Sequence, residues 1–316
     1  MLNIKSKKYS CDVVKKRKIS VRELQLYSLL AVPLLLVFVF HYIPLVGISI
    51  AFKDYKYNLG ILGSKWVGFE NFAYFFNSDV FARITWNTLS MNFLFILIGT
   101  TVAVILAMLL YEVHSRGATK VFQTVLITPN FISWVIVAYM VFSLLNPNYG
   151  FVNVIRKIFG FSEIDWYGEA KYWPTILIIA NVWKKMGIDS IMYYAAIMGM
   201  DTSLIEAAKI DGAGRIKCMR YIILPSLIPL IVTLTILAIG SIFRADFGLF
   251  YQVPRNVGLL YKTTDVVDTY IFRTMREVGD LGLSSAVGVL QSCVGFIMVM
   301  ITNHITKKIS PENSMF

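Results

Sequence analysis

Two stretches of this sequence carry charged side chains inside long apolar runs. The first, "NVWKKMGIDSIMYYAAI" at residues 181–197, contains two lysines and an aspartate, and the second, "GSIFRADFGLF" at residues 240–250, contains an arginine and an aspartate. A charged side chain at the centre of a membrane costs ~2.5–3.5 kcal/mol on insertion scales, so such charges need ion partners or water. These residues therefore predict either ion pairs between helices or a polar path that binds a hydrophilic solute.

A third polar stretch, "EAAKIDGAGRIKCMRYIILP" at residues 206–225, separates two apolar runs. Ser203 can cap a helix whose third position is Glu206, which places a carboxylate at the positive end of the helix dipole. Gly212 and Gly214 are expected to end this helix. Its predicted apolar face consists of Leu204, Ile205 and Ala208.

After the glycines, "RIKCMRYIIL" is expected to begin a second short helix, set at an angle to the first. Pro225 and Pro229 then mark the entry of the next apolar run, because proline is tolerated near a helix start. By pattern alone, this stretch is typical of an amphipathic helix at a membrane surface.

The elements that must position these residues are membrane helices. Of the 316 residues, 57% are hydrophobic, 14% are aromatic and only 16% are charged, which lies far from the average of soluble proteins. Six stretches are long enough to cross a bilayer core, which needs about 20 helical residues. They are predicted at 26–50, 87–111, 122–145, 174–199, 224–247 and 284–306.

The predicted organisation is a basic N-terminal segment at 1–25, a membrane domain at 26–306 and a tail at 307–316. The first apolar run lacks a small-residue cleavage site, so it is interpreted as a retained helix. The segments on the side of both termini hold 16 lysines and arginines in 70 residues, against 11 in 98 residues on the other side. The positive-inside rule therefore predicts cytoplasmic termini and a cytoplasmic 206–225 stretch.

Catalytic and metal-binding chemistry find no support in the residue pattern. The three cysteines, Cys11, Cys218 and Cys293, have no paired spacing, and the three histidines are scattered. No Ser, His and Asp set and no carboxylate pair falls on one spanning face. A P-loop is also missing, since "GILGSKW" at 60–66 has the wrong spacing. We expect no enzyme and no bound cofactor or metal in this chain.

The 206–225 stretch resembles the signature of the permease subunits of ATP-binding-cassette (ABC) importers. That signature is Glu-Ala-Ala, three residues, Gly, nine residues, Ile, one residue and Leu-Pro. It matches Glu206, Ala207, Ala208, Gly212, Ile222, Leu224 and Pro225, with Asp211 and Ala213 completing the "DGA" common in sugar importers. The resemblance implies an all-α, six-span type I importer permease (MetI-like) fold.

By the same resemblance, residues 201–217 are the coupling helix, which sits in a groove of a separate ATPase subunit. Glu206 would reach a basic residue of that ATPase, Ala207 and Ala208 would allow close backbone approach, and Gly212 would make the turn. Met219 departs from the aromatic residue that the family often has there, and a methionine can fill the same apolar slot.

Five further phrases narrow the resemblance to the carbohydrate-uptake permeases typified by LplB proteins of Gram-positive bacteria. They are "HYIPLVGISIAFKDY", "LGSKWVGFENF", "TPNFISWVIVA", "LNPNYGFVN" and "DVVDTYIFR", in the family's order. The resemblance implies a plasma-membrane heterodimer with a second homologous permease, two ATPase copies that bind ATP and Mg²⁺, and an extracellular solute-binding lipoprotein. It implies no nucleic-acid partner.

With a carbohydrate as the expected solute, the charged spans become a candidate substrate path. Its predicted residues are Asn181, Trp183, Lys184, Asp189, Tyr193, Arg244 and Asp246. Trp183 and Tyr193 would stack on sugar rings, while a guanidinium fork at Arg244 could bind vicinal hydroxyls or a uronate carboxylate.

Purely structural roles stay open for the same residues. Lys185 could pair with Asp189 one helical turn away, supported by Asn181, and Asp246 could belong to an internal ion pair. The aromatics Trp66, Trp166, Trp173, Tyr167 and Tyr172 are expected in an outer interfacial belt, with docking of the binding protein as the alternative. A permease for a non-sugar solute such as a peptide, or a secondary transporter, is the alternative function.

Overall fold

The chain is almost entirely helical in a computed structural model that describes residues 21–201 and 203–309. The predicted N-terminal segment therefore lies mostly outside the described residues, as does most of the tail. The described chain divides into two compact units between Ser49 and Ile50. The first unit contains α1 (Val21–Val37) and a π-helical turn (Phe38–Tyr42), and the 3₁₀ segment that follows (Ile43–Phe52) crosses the boundary between the units.

The second unit begins with a small two-stranded substructure and continues into longer helices. A two-residue strand β1 (Lys53–Asp54) pairs antiparallel with β2 (Lys65–Trp66), so that Lys53 lies opposite Trp66. The helices that follow β1 are α2 (Gly60–Gly63), α3 (Glu70–Phe76), α4 (Asp79–Tyr111), α5 (Arg116–Ile127), α6 (Trp134–Leu145), α7 (Phe151–Ile158), α8 (Trp173–Met198), α9 (Ser203–Ile210), α10 (Arg215–Cys218), α11 (Leu224–Gly240), α12 (Tyr261–Thr264), α13 (Val267–Arg273) and α14 (Leu281–Ile309).

Four continuous helical stretches in the described part of the chain are long and apolar enough to cross a membrane. They are Tyr27–Phe52, Asp79–Tyr111, Arg215–Gly240 and Leu281–Lys308. Each overlaps one of the predicted spans. The predicted fourth span corresponds to α8, whose 26 residues are long enough at ~1.5 Å per residue. Its lysines and aspartate explain why it is less apolar than the other four.

The prediction of one continuous helix at 122–145 is wrong. Helices α5 and α6 are bent by 95° at a short break, so together they form a broken span or a re-entrant loop. Pro129 starts this break in a 3₁₀ turn, because proline has no backbone N–H and constrains the residue before it. The chain then extends at Ser133, whose hydroxyl accepts a hydrogen bond from the N–H of Ile136 and caps α6.

The fifth predicted span differs from the structure at both ends. Arg215–Cys218 is not a separate angled helix, because it runs into α11 through a π-helical turn at Met219–Ile223. This wider turn directly precedes Pro225, which removes one donor from the helical ladder. At the other end α11 stops at Gly240, so Arg244 and Asp246 lie in a non-helical segment instead of a helix.

The aromatic belt predicted for the outer side is only partly correct. Trp173 and Tyr167 are buried in the main apolar core, where their rings meet edge to face with centroids 5.0 Å apart. Burial raises the pKa of the Tyr167 phenol to about 12. Trp66 is exposed and stacks on Phe52 at 5.5 Å. Two of the predicted belt aromatics therefore stabilise the fold.

Candidate functional site

The predicted coupling helix exists as α9, but its first turn is built differently from the prediction. The helix starts at Ser203, and the Oδ1 atom of Asp201 accepts a hydrogen bond from the Ser203 N–H at 2.9 Å. This hydrogen bond lowers the pKa of the Asp201 carboxyl from its usual value. Asp201 therefore accepts from the first N–H of α9, whereas the prediction had the Ser203 hydroxyl capping the helix at the N–H of Glu206. Glu206 lies in the first turn and is exposed, as expected.

A left-handed glycine ends α9. Gly212 has a φ of +79°, the Ala213 N–H donates to the Ala208 carbonyl at 2.8 Å, and the Gly212 N–H donates to the Lys209 carbonyl at 3.1 Å. These two bonds form a Schellman motif, which requires a left-handed residue at the position of Gly212. The turn predicted for Gly212 is therefore confirmed. Its positive φ explains why the signature has a glycine at this position, since other residues rarely adopt that conformation.

Ile205 anchors α9 to the membrane helices. Its side chain is 4% exposed and packs in a cluster with Ile223 and Leu227, whereas Leu204 is 61% exposed. The other buried members of this cluster are Ala103, Val104, Ala107, Tyr193 and Ile197. The predicted shared face of Leu204, Ile205 and Ala208 is wrong for Leu204, which points away from the protein core.

The exposed surface of α9 and its turn combines two acids with apolar side chains. Glu206, Ala207 and Asp211 are exposed, as are the large apolar residues Leu204 and Ile210. Ala208 and Ala213 are half-buried at the rear of this surface. Leu224 is half-buried and Pro225 exposed at the start of α11. These last two signature residues therefore shape the helix that follows and lie apart from the α9 surface.

An ion pair between the start of α10 and the end of α4 was not predicted from the sequence. The Nε atom of Arg215 lies 3.5 Å from the Oε2 atom of Glu112, which caps the end of α4. The pair connects the start of α10 to a membrane helix. Because Arg215 is mostly exposed, water screens this contact and its stabilising effect is small.

A cavity of about 390 Å³ lies among α4, α8, α11 and the non-helical segment 241–246. Five predicted path residues line it, namely Asn181, Asp189, Tyr193, Arg244 and Asp246. Its wall also includes Asn92 and Lys185, which the sequence did not assign to the path. The remaining predicted residues, Trp183 and Lys184, do not line this cavity.

Lys184 closes the bend between α5 and α6. Its ammonium donates hydrogen bonds to the carbonyls of Pro129 at 3.3 Å, Asn130 at 2.9 Å and Ile132. It also lies 5.2 Å from the ring centroid of Trp134. Carbonyls freed by a helix break need such a donor, so Lys184 has a structural role in place of the predicted solute contact.

Trp183 and Tyr193 are both unavailable as open stacking platforms. Trp183 is half-buried against the main apolar core. Tyr193 reaches the cavity wall, but only 3% of it is exposed, and its side chain hydrogen-bonds with Thr100. Tyr193 can therefore contribute an edge to the cavity, whereas Trp183 contributes only to packing.

The charges around the cavity pair across elements. Asp246 accepts a hydrogen bond from Trp134 Nε1 at 3.0 Å and lies 4.0 Å from Lys185 Nζ. Lys185 thus has its ion pair with Asp246 and not with Asp189, the partner expected within the helix. Arg244 is exposed, and among the described residues no carboxylate forms an ion pair with it.

Asn181 contributes an unusual polar atom to the same wall. Its side chain is buried, and its Oδ1 atom has no hydrogen-bond partner within the described part of the chain. An unsatisfied buried acceptor costs about 1–3 kcal/mol unless water or a ligand donates to it. Within residues 21–201 and 203–309, no three His, Cys, Asp or Glu side chains come together in a way that could hold a metal ion.

Comparison with known proteins places both regions in one family. The family described as binding-protein-dependent transport system inner membrane component matches residues 96–311. The chain is 35% identical over 301 residues to the polygalacturonan/rhamnogalacturonan transport system permease protein YteP of Bacillus subtilis (strain 168), covering 94% of this chain and 93% of the relative. It is 34% identical over 291 residues to Protein LplB of the same strain, covering 92% and 91%.

A solved structure extends the similarity to three dimensions. A crystal structure of a bacterial ABC transporter involved in the import of the acidic polysaccharide alginate contains a chain with a TM-score of 0.82 and 32% identity. The alignment covers 92% of this chain and 97% of that chain. The all-α permease fold expected from the sequence is thereby confirmed.

The matched region includes α9 and most of the cavity wall, so the family relationship applies to the residues described above. The family is a transport component and not an enzyme, and its members work with an ATPase and a binding protein. This chain therefore belongs to the binding-protein-dependent transport system inner membrane components and is a permease subunit of an ABC importer.

Proposed function

We propose that this permease imports an oligosaccharide that carries carboxylate groups, and that the cavity between α4, α8 and α11 forms part of its path. The observation that carries this proposal is the exposed guanidinium of Arg244 in the cavity wall, which forms no ion pair with a carboxylate of the described residues. A guanidinium binds a carboxylate through two parallel hydrogen bonds, which no neutral hydroxyl pair matches in strength.

The rest of the wall suits a sugar better than an apolar solute. Lys185 offers donors, Asp189 and the amide oxygen of Asn92 offer acceptors, and Asn181 presents the unpartnered oxygen. Sugar hydroxyls donate and accept in alternation, so a wall of mixed donors and acceptors can satisfy them. The volume of about 390 Å³ lies within the range of small-molecule sites.

The names of similar proteins support an acidic saccharide. One relative is a permease protein for polygalacturonan and rhamnogalacturonan, and the similar solved structure imports the acidic polysaccharide alginate. These polymers contain uronates, whose carboxylates are the chemical group that Arg244 fits.

The proposed assembly contains three kinds of partner subunit. A second homologous permease forms a heterodimer with this chain, two ATPase copies bind from the cytoplasm, and an extracellular solute-binding lipoprotein delivers the sugar. ATP and Mg²⁺ bind to the ATPase, and this chain holds no cofactor or metal of its own. Membrane lipid surrounds the complex, and nucleic acid has no part in it.

The proposed coupling surface for the ATPase consists of Glu206, Ala207, Ala208, Asp211, Gly212 and Ala213. Its support is the exposed acid beside Leu204 and Ile210, since exposed large apolar side chains outside a membrane span mark interaction surfaces. Leu224 and Pro225 complete the signature by starting α11 behind that surface.

The proposed location is the plasma membrane of a Gram-positive bacterium, with both termini in the cytoplasm. The distribution of lysine and arginine supports this orientation, and the Bacillus relatives support the source.

Uptake by the reconstituted complex tests the proposed solute. The permease pair, ATPase and lipoprotein are placed in vesicles, and uptake of a galacturonate trisaccharide is compared with that of a galactose trisaccharide. We expect the wild-type complex to import the acidic sugar. Arg244→Ala should reduce its uptake about tenfold, as loss of a hydrogen bond to a charged group implies. Import of only the neutral sugar, or of neither, would contradict the proposal.

A further inference from the structure

The segment 241–246, which carries Arg244 and Asp246, has no helix of its own. It follows the end of α11 at Gly240 and precedes the helical turn that begins at Gly248. Irregular backbone beside membrane helices is tolerated only where other groups satisfy its N–H and C=O groups. The partners of its backbone therefore show what fixes the two charged residues.

Three polar side chains from three helices bind this backbone. Asn92 Nδ2 in α4 donates to the Ile242 carbonyl at 2.7 Å and to the Arg244 carbonyl at 3.2 Å. Gln291 Nε2 in α14 donates to the Phe243 carbonyl at 3.0 Å. These bonds replace those that a helix would have made for the three carbonyls.

Asp268 in α13 completes the set by accepting a hydrogen bond from the backbone N–H of Ala245. Its Oδ2 atom accepts from the Ala245 N–H at 2.8 Å and from Gln291 Nε2 at 3.0 Å. Gln291 thus bridges the Asp268 carboxylate and the Phe243 carbonyl. We call Asp268 and Gln291 together the clamp, because both hold the 241–246 backbone.

The clamp holds the segment in a conformation in which some side chains are buried and others face the cavity. Phe243 and Ala245 are buried, whereas Arg244 is exposed and Asp246 is partly exposed, and of these four residues the two charged ones line the cavity. This alternation is what an extended strand produces, since successive side chains point to opposite sides. A shift of one residue would bury the charges and expose the apolar pair.

The helix that supplies Asp268 is itself firmly attached. Asp265, just before α13, accepts hydrogen bonds from Arg273 Nη2 at 2.5 Å and from Thr269 Oγ1 at 2.9 Å. Thr88 Oγ1 in α4 accepts from the Val267 N–H at 3.1 Å. The Asp268 carboxylate is therefore presented from a fixed position.

We infer that Asp268 and Gln291 are positioning residues that select the solute indirectly, by holding the 241–246 backbone so that Arg244 faces the cavity. This inference rests on the proposed function for the role of Arg244. Asn92 shares the task but also lines the cavity, so its substitution would change both the backbone and the wall.

The first test measures, in the absence of solute, whether the clamp holds the 241–246 backbone in place. Backbone hydrogen–deuterium exchange is followed for the 241–246 peptide in the purified complex of the permease pair and ATPase. Asp268→Leu and Gln291→Leu should increase its exchange rate by about tenfold or more. The first variant removes the acceptor of the Ala245 N–H, and the second removes the amide that holds this acceptor in place. Asp268→Asn keeps a side-chain oxygen for Ala245 and should stay near the wild-type rate.

Thr88→Val is the matched control for this measurement. It removes a buried hydrogen bond to the residue next to Asp268, yet the Thr88 side chain makes no hydrogen bond to the 241–246 segment. It should lower the thermal stability of the complex and raise exchange at 241–246 far less than Asp268→Leu does, because the bonds from Asp268 and Gln291 to the segment remain. Equal exchange in Asp268→Leu and wild type, or equal acceleration by Thr88→Val, would overturn the inference.

The second test asks whether the clamp acts through Arg244. Uptake of the galacturonate trisaccharide is measured for Gln291→Leu, Arg244→Ala and the double variant, with ATPase stimulation by the loaded lipoprotein as a parallel readout. We expect each single variant to lose uptake about tenfold and the double variant to lose no more than the worse single variant. ATPase stimulation should stay within about twofold of the wild type.

The outcomes separate the two proposals. Losses that multiply in the double variant would assign Gln291 a general structural role and overturn the positioning inference. Normal uptake by Gln291→Leu would overturn it as well. A wild-type complex that imports neither trisaccharide would contradict the proposed solute, while the exchange measurement would still decide whether the clamp holds the segment.

Discussion

At the scale of single residues, the neighbours Lys184 and Lys185 show how two identical side chains on one helix acquire different roles. The Lys184 ammonium is enclosed by the carbonyls of the α5–α6 break, and Gly187 allows that break to come close, since a Cβ there would lie 1.9 Å from the Leu126 carbonyl oxygen. Lys185 points to the cavity and meets Asp246. Lys184 and Lys185 are adjacent on α8, so their side chains point to different sides of the helix, the first to the packed α5–α6 break and the second to the cavity.

This difference predicts opposite effects of the same substitution. Lys184→Met should lower the stability of the assembled complex by about 2–3 kcal/mol, because it strands carbonyls that a cation had bonded. Lys185→Met should leave stability nearly unchanged and reduce saccharide uptake, since Lys185 is exposed in the cavity wall. Thermal unfolding and uptake measured for both variants check this, and identical profiles would refute the division of roles.

At the scale of elements, α9 depends on how its chain ends. The Schellman motif at Gly212 directs the chain from α9 into the long helix that starts at Arg215. Ile205 holds the rear of α9 against the membrane helices, so the exposed front keeps a defined orientation. A rigid turn and a buried anchor are what a short helix needs to transmit a displacement to the helices behind it.

Two glycines of this turn make a matched pair for experiment. Gly212 has a φ of +79°, whereas Gly214 has an ordinary φ of −74°, and an added Cβ at either would meet open space. Gly212→Val should therefore disturb the turn by backbone strain of at least about 1–2 kcal/mol, while Gly214→Ala should be tolerated.

The measurement is co-purification of the ATPase with the permease pair, together with saccharide uptake. We expect Gly212→Val to lose both and Gly214→Ala to keep both. Full ATPase recruitment and uptake by Gly212→Val would show that the left-handed turn is not required for coupling.

At the scale of the whole molecule, the second unit joins the exposed α9 surface and the polar cavity through the same helices. Tyr193 belongs to both regions, because it packs in the cluster around Ile205 and also lines the cavity wall. A movement of α9 has a packed route to α8 through this residue. The energy for such a movement has to come from another subunit, since the chain has no phosphate-binding loop.

The isolated chain should therefore not bind nucleotide. Purified permease alone is expected to show no saturable ATP binding in the presence of Mg²⁺, whereas addition of the ATPase subunit should restore it. Equilibrium dialysis with labelled ATP provides the measurement, and the ATPase alone serves as the positive control. Stoichiometric binding by the permease alone would contradict the assignment of energy coupling to the partner.

The sequence by itself determined the helical membrane class, the family signature and the turn at Gly212. These features depend on composition or on bonds between residues a few positions apart, such as Ala213 to Ala208. Local chemistry is sufficient for them, because the bonded atoms belong to one short stretch of chain.

Only the tertiary structure decided the partners of the buried charges and the ends of two spans. Asp246 meets Trp134 and Lys185, and Lys184 meets carbonyls at Pro129 and Asn130, across separations that no sequence periodicity encodes. Likewise, α11 can stop at Gly240 because Asn92, Asp268 and Gln291 satisfy the backbone beyond it. Such pairings depend on where helices cross, and that geometry is fixed only when the whole chain packs.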